Sequence, residues 1–197
     1  METTPPIQFP PRKRIHHWDN PGDAHFLTFS CYQRRPFLSS DRSRQWMIDA
    51  VQRARSNHGF DLWAYVIMPE HVHLLILPHS CLISELLNSI KQSVSKRAIA
   101  WVEQEAKWFL PEMIEQRPGG KITRRFWQPG PGYDRNMRST ADVWEKIDYS
   151  HYNPVKRKLC VKANDWKWSS AADYAGVGAG LLPLDLGMLP RRPARKQ

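Results

Sequence analysis

Two short segments, far apart in the chain, carry side chains that could act on a phosphate ester. The first contains His71 and His73, separated by one valine in an otherwise apolar run, and the second contains Tyr149 and Asn153. Imidazole nitrogens and an amide oxygen can bind a divalent cation. A tyrosine oxygen can attack phosphorus and later leave again. These residue types therefore favour metal-assisted attack on a phosphodiester, whose negative charge a cation must neutralise in the transition state.

The spacing of the two histidines suits one shared cation if the segment is a β-strand. Side chains alternate between the faces of a strand, so His71 and His73 share one face while Val72 and Leu74 enter the core. Two imidazoles at that spacing can hold one metal ion. A lone His-x-His pattern also occurs in ordinary half-exposed strands, and this alternative stays open.

The second segment has helical spacing. Tyr149 and Asn153 are four residues apart and therefore neighbours on one helix face, whereas His151 points elsewhere. Tyr152 lies close to the same face, so the choice of nucleophile depends on the register of the motif. The alternative is that both tyrosines are packing residues of an amphipathic helix and that Asn153 merely ends this helix before Pro154.

Composition limits the class of protein. The chain has 197 residues and a formal net charge of +10, which favours a polyanionic partner such as nucleic acid. Its three cysteines have no metal-ligand spacing, which is typical of reduced thiols. No apolar run is long enough to span a membrane, and the N-terminus has no hydrophobic signal core. We expect a soluble cytoplasmic protein with no membrane partner and no nucleotide cofactor.

Hydrophobic periodicity predicts an α+β fold, an antiparallel sheet with helices packed on one face. Between the second and third predicted helices, we interpret the residues around Phe126 and Trp127 as a short strand or an extended loop, followed by a flexible Gly- and Pro-rich stretch. The predicted strands span residues 25–32, 60–68 and 71–77, and the predicted helices span residues 41–57, 82–104 and 140–152.

The ends of the chain differ in composition from its middle. Residues 1–23 form a basic, Pro-rich arm, residues 24–172 form the single domain, and residues 173–197 form a Gly/Leu/Pro-rich basic tail with little to bury. Clustered basic residues predict contacts with phosphates, against the alternative of a solvated basic surface. The candidate DNA-binding residues are Arg12, Lys13, Arg14, Arg124, Arg125, Arg135, Arg138 and Lys156.

Taken together, the motifs resemble the single-tyrosine HUH transposases, in particular the branch called REP-associated tyrosine transposases. The likeness covers residues 20–172. It rests on the segments Val66–Leu74, Phe126–Pro129, Tyr133–Arg135, Tyr149–Lys156 and Asp165–Ser170.

The resemblance implies a specific mechanism on a ferredoxin-like sheet. His71 and His73 match the metal-binding pair, Tyr149 matches the nucleophile of a Tyr-x-x-x-Asn-Pro signature, and Asn153 falls where a further ligand to Mg²⁺ or Mn²⁺ is expected. The substrate would be single-stranded or hairpin DNA of the REP type. The product would be a 5′-phosphotyrosine and a free 3′ hydroxyl, and we favour a monomer over a homodimer.

Two other functions remain open at this point. The chain could be a non-catalytic protein of the same fold that only recognises DNA hairpins. It could also be a metal-dependent hydrolase of RNA or other phosphodiesters that uses His71 and His73 but not Tyr149.

Overall fold

The computed structural model describes residues 22–194, so most of the predicted arm, with Arg12, Lys13 and Arg14, lies outside the described residues. Within the described range, no helix is long and apolar enough to cross a membrane. The elements in chain order are β1 (His25–Ser30), α1 (Asp41–His58), β2 (Phe60–Ile67), β3 (His71–Pro78), α2 (Ile83–Glu105), β4 (Ile114–Gln116), β5 (Ile122–Arg124), β6 (Tyr133–Asn136), α3 (Thr140–Lys156) and α4 (Ala171–Ala175).

The main sheet has four strands in the order β2-β3-β1-β6, and all its pairings are antiparallel. The strands β2 and β3 form a hairpin in which Met68 N–H donates to His71 O at 2.8 Å, so their connection is tight, as predicted. In the ladder between β1 and β3, Thr28 lies opposite His73. This strand order with its intervening helices confirms the predicted ferredoxin-like α+β fold.

The two faces of the sheet are covered differently. Leu27, Leu74 and Ile76 pack with α1 and α2 in the larger core, so these two helices lie on one face as predicted. The third long helix differs from the prediction, because α3 packs against Phe26 and Leu75 on the other face, in a smaller core. Because side chains alternate along β3, His71 and His73 lie on this second face, facing α3.

Both ends of helix α3 are fixed by hydrogen bonds from nearby residues. The Ser139 side chain accepts a hydrogen bond from Asp142 N–H and so caps its first turn. The prediction that the helix stops before Pro154 is wrong, because it continues to Lys156. Pro154 is buried and lies in the last turn, where its missing N–H removes a single helical bond. Arg157 N–H closes the end on Asn153 O.

The stretch between α2 and α3 differs most from the prediction. Of the two predicted alternatives around Phe126, the loop is the observed one, and the neighbouring Trp127 makes only an isolated bridge to Cys31. The fourth strand is instead β6, in the stretch that we had interpreted as flexible. Gly132 makes this possible: its φ is +90°, and a Cβ there would lie 2.5 Å from Thr28 O. The Gly- and Pro-rich stretch is therefore a defined turn that brings β6 onto β1.

The C-terminal segment also packs more than expected. Leu182 is buried in the larger core. An oxygen of Asp185 accepts a hydrogen bond from Leu62 N–H at 2.9 Å, and Trp144 Nε1–H donates to Pro190 O at 2.9 Å. The expectation that this segment has little to bury is therefore wrong.

We expect Gly132→Ala to lower the free energy of unfolding by about 2–4 kcal/mol, because a left-handed backbone and a clash with Thr28 O act together. Gly130→Ala is the matched control. Its φ is +103°, but no atom lies within 4 Å of the added Cβ, so backbone strain alone should cost about 1–2 kcal/mol. Urea unfolding measures both values. Equal losses would mean that the close approach to β1 is not a constraint.

Candidate active site

The two histidines of β3 meet at the tips of their rings. His71 Nε2 and His73 Nε2 are 3.0 Å apart, and the ring planes are nearly perpendicular, at 82°. Both side chains are buried. The prediction that they share one face, with Val72 and Leu74 directed into the core, is confirmed.

The other nitrogen of each ring is held by an oxygen. Glu70 Oε1 lies 3.1 Å from His71 Nδ1, and Thr28 Oγ1 lies 2.8 Å from His73 Nδ1. A carboxylate only accepts hydrogen bonds, so His71 carries its proton on Nδ1 and directs the Nε2 lone pair at His73. The Thr28 hydroxyl can donate or accept, so His73 can present either an N–H or a lone pair at Nε2.

Both imidazoles are kept neutral near pH 7. The pKa of His73 is lowered to about 3, mainly by burial and to a smaller extent by the neighbouring His71 and Arg34. Burial also lowers the pKa of His71, although Glu70 opposes the shift. A neutral imidazole is the form that binds a metal ion.

Helix α3 brings Asn153 and Tyr149 to the same place. Asn153 is buried, and its Nδ2 lies 3.1 Å from His73 Nε2. The Tyr149 side chain is 50% exposed. Its ring packs edge-on against His73 and Phe26, with centroids 5.8 and 6.4 Å apart. The hydroxyl of Tyr149 is therefore open to a substrate while its ring is held beside the histidines.

The neighbours of Tyr149 on α3 are placed differently. Tyr152 is 58% exposed, and among the described residues it makes no ring contact with either histidine. His151 is buried and points away from the site, with its Nε2 2.8 Å from Ser170 Oγ. Of these two tyrosines, Tyr149 is thus the one whose ring lies against a histidine of the pair.

Three residues of this site escaped the sequence-based prediction: Thr28, Glu70 and Arg157. Arg157 donates to Glu70 Oε1 at 2.6 Å, so this carboxylate joins the strand of the histidines to the end of α3. Glu70 could have been found, because it directly precedes His71. Thr28 and Arg157 could not, because their places depend on strand register and on helix docking.

The predicted DNA-binding residues are not gathered at the histidines. Arg124 pairs with Glu103, Arg125 with Glu115 and Arg135 with Asp142. Arg138 and Lys156 are exposed at the two ends of α3. Away from the site, basic side chains line a groove of about 310 Å³ that has no acidic lining residue. The basic residues of this groove are Lys91, Lys96, Arg124 and Arg125.

The paired nitrogens have a spacing that suits two ligands of one divalent cation. A separation of 3.0 Å between the Nε2 atoms is that of neighbouring ligands in an octahedron with bonds of about 2.1 Å. Half a turn of the Asn153 amide exchanges its Nδ2 donor for an Oδ1 ligand. In the described part of the chain, no group of three or more His, Cys, Asp or Glu residues could hold a metal. Oxygens of Asn153, water or substrate would have to complete the shell.

Comparison with known proteins identifies the family. The family model described as "Transposase IS200 like" matches residues 23–130, more than half of the chain. The chain belongs to the IS200-like transposase family. The matched range contains both histidines of β3 and ends before α3, which carries Tyr149. The predicted transposase is thus confirmed at the level of the family.

Relatives within the IS200-like transposases are similar over most of their length. A REP-associated tyrosine transposase of Escherichia coli is 26% identical over 165 residues, which cover 83% of this chain and 84% of the relative. A Haemophilus influenzae protein assigned to the same group is 28% identical over 163 residues, which cover 76% of this chain and 84% of that protein.

The fold is also that of a solved IS200-like relative. A REP-associated tyrosine transposase bound to a REP hairpin superimposes with a TM-score of 0.64, at 20% identity, over 93% of this chain and 99% of that chain. At this identity the likeness shows the fold.

Proposed function

We propose that this IS200-like transposase cuts and rejoins single-stranded or hairpin DNA of the REP type through a covalent bond to Tyr149. One observation carries the proposal: Tyr149 and Asn153 from α3 converge on the paired Nε2 atoms of His71 and His73. A half-exposed tyrosine beside neutral imidazoles can contact a phosphate that is also bound to a cation held by the imidazoles.

Each residue has a defined part in this reaction. Tyr149 Oη attacks phosphorus and loses its proton to solvent. The new P–O bond joins Tyr149 to the 5′ phosphate, while the bond to the 3′ oxygen breaks and that oxygen takes a proton from solvent to become a hydroxyl. His71, His73 and Asn153 would hold Mg²⁺ or Mn²⁺, which when bound neutralises charge on the phosphate. Attack by a 3′ hydroxyl reverses the step and releases Tyr149.

The partner that we propose is hairpin DNA, and the chain would act as a monomer. The net charge of +10 and the REP hairpin held by the solved relative support the DNA partner. The contact of Tyr149 with His73, which in turn contacts His71, lies inside one chain and supports the monomer, since no second copy is needed to bring these residues together.

The exposed cations near α3 would contact phosphates. Within residues 22–194, the side chains of Arg138 and Lys156 form no ion pair with a carboxylate, unlike those of Arg124, Arg125 and Arg135. These three arginines would have to exchange a carboxylate for a phosphate. The predicted contacts of Arg12, Lys13 and Arg14 in the N-terminal arm complete the proposed DNA-binding set.

We expect the double variant Arg138→Ala/Lys156→Ala to bind hairpin DNA more weakly, with a log-affinity versus log-salt slope that is smaller by about 1.4 to 1.8, for two lost phosphate contacts. The cleavage rate at saturating DNA should stay the same. Arg53→Ala is the control, because Arg53 is exposed on α1 across the sheet. An unchanged slope in the double variant would show that these residues do not bind phosphates.

The decisive experiment uses an end-labelled single-stranded repeat from beside the gene, incubated with the protein and Mn²⁺. The proposal predicts an SDS-stable adduct that carries the fragment on the 3′ side of the cut. Cleavage without an adduct would favour the metal-dependent hydrolase. Tight hairpin binding without cleavage would favour the non-catalytic protein.

A further inference from the structure

We propose that Glu70 is a positioning residue that orients His71 for metal binding and, through Arg157, fixes α3 against β3. This inference rests on the proposed function, because it assumes that His71 binds a metal ion. It assigns a task to a buried carboxylate and an arginine that the reaction described above does not use.

Glu70 is firmly placed between its two partners. It is 5% exposed. Its Oε1 lies 3.1 Å from His71 Nδ1 and 2.6 Å from Arg157 Nη1, so a single oxygen serves both. Its backbone oxygen accepts a hydrogen bond from Cys31 N–H at 2.8 Å, which ties this turn to the end of β1. A buried carboxylate would be costly without such partners.

The first task of Glu70 concerns the ring of His71. By accepting a hydrogen bond from the Nδ1–H of His71, the carboxylate fixes one tautomer and leaves the Nε2 lone pair directed toward His73. The negative charge also makes the imidazole a better ligand. A glutamine could still accept this hydrogen bond through its side-chain oxygen, but it would lack the negative charge.

The second task concerns the position of α3. Arg157 is the C-cap of this helix, and its N–H donates to Asn153 O, one turn before it. Tyr149 lies one further turn toward the start of the helix. The contact between Arg157 and Glu70 therefore sets how closely Asn153 and Tyr149 approach the two histidines.

Arg157 could instead act on DNA directly, since its side chain is 50% exposed. The two roles differ in how the variants combine. If Arg157 acts through Glu70, its substitution has little further effect once Glu70 is replaced. If Arg157 binds a phosphate, the two effects add.

The first measurement is Mn²⁺ binding by calorimetry to the full chain carrying Tyr149→Phe, which prevents turnover. We expect Glu70→Gln to weaken Mn²⁺ binding by about 10- to 100-fold, the usual effect of losing a partner of a ligating histidine. Glu115→Gln is the matched control, because Glu115 also pairs with an arginine but lies on β4. Equal Mn²⁺ affinities for Glu70→Gln and its parent would show that Glu70 does not orient His71 for metal binding.

A second measurement follows adduct formation with Tyr149 intact. Glu70→Gln should raise the Mn²⁺ concentration for half-maximal rate by a similar factor. Arg157→Met should slow adduct formation at saturating Mn²⁺, and Arg157→Lys should restore part of the rate. In a chain that already carries Glu70→Gln, Arg157→Met should cause no further slowing. Additive effects would show that Arg157 does not act through Glu70 and would indicate that it binds DNA.

Two checks keep failures apart. Thermal unfolding shows whether each variant is folded. If Glu70→Gln does not fold, Glu70→Asp is used instead, because its shorter side chain keeps the charge but cannot reach both partners. The same loss of Mn²⁺ affinity is then expected, and its absence overturns the inference. If His71→Ala binds Mn²⁺ as tightly as its parent, the metal site of the proposed function fails instead.

Discussion

Tyr149→Phe should abolish the covalent adduct and reduce DNA cleavage by about 1000-fold or more, because it removes the attacking oxygen. DNA binding should hardly change. The ring keeps its edge contacts with His73 and Phe26, and only the half-exposed hydroxyl is lost. Adducts on SDS gels and hairpin binding by fluorescence anisotropy measure the two effects separately.

Tyr152→Phe is the matched control for this experiment. It removes the same atom from an exposed tyrosine on the same helix, and it should leave the adduct intact. The opposite pattern, with loss of the adduct in Tyr152→Phe alone, would make Tyr152 the nucleophile. Metal-dependent cleavage by both variants would rule out a tyrosine mechanism and favour hydrolysis.

Substituting either histidine should have the second large effect. His71→Ala and His73→Ala should each reduce cleavage by about 1000-fold, the scale on which a metal ion stabilises charge in a transition state. Each also removes one of two nitrogens that lie 3.0 Å apart, so Mn²⁺ binding should weaken with activity. Asn153→Ala should be milder, because water can replace a neutral oxygen ligand.

The control for these variants is His79→Ala. His79 directly follows β3, at the end opposite the paired histidines, and its exposed ring contacts Asp61. It should change neither Mn²⁺ binding nor cleavage. If His71→Ala or His73→Ala leaves both properties intact, the metal site is wrongly assigned.

The parts of the fold that were predicted correctly are those with a strong local pattern. The observed α1, β2, β3 and α2 begin and end within about two residues of the predictions, within the usual error of element boundaries. The pairing of His71 with His73 on one face needed only the alternation of a strand. The approach of Asn153 to His73 was expected only from the helical spacing and the family resemblance.

What could not be predicted depends on contacts between distant residues. The turn at Gly132 looks flexible in the sequence, and only the closeness of Thr28 O shows that glycine is required there. Pro154 ordinarily ends a helix, but here it is buried in the last turn of α3. Nothing in the sequence around Glu70 indicates Arg157, which lies on another element.

The central strand β1 has a consequence for how the protein is made. It pairs with β3 on one side and with β6 on the other. At usual rates of translation, roughly 5 to 20 seconds pass between the synthesis of Ser30 and that of Asn136. During that time the edge of β1 that later pairs with β6 has no partner strand, and a neighbouring nascent chain could add to it. A nascent chain that is stalled on the ribosome before Tyr133 should therefore aggregate, even though it already contains both histidines.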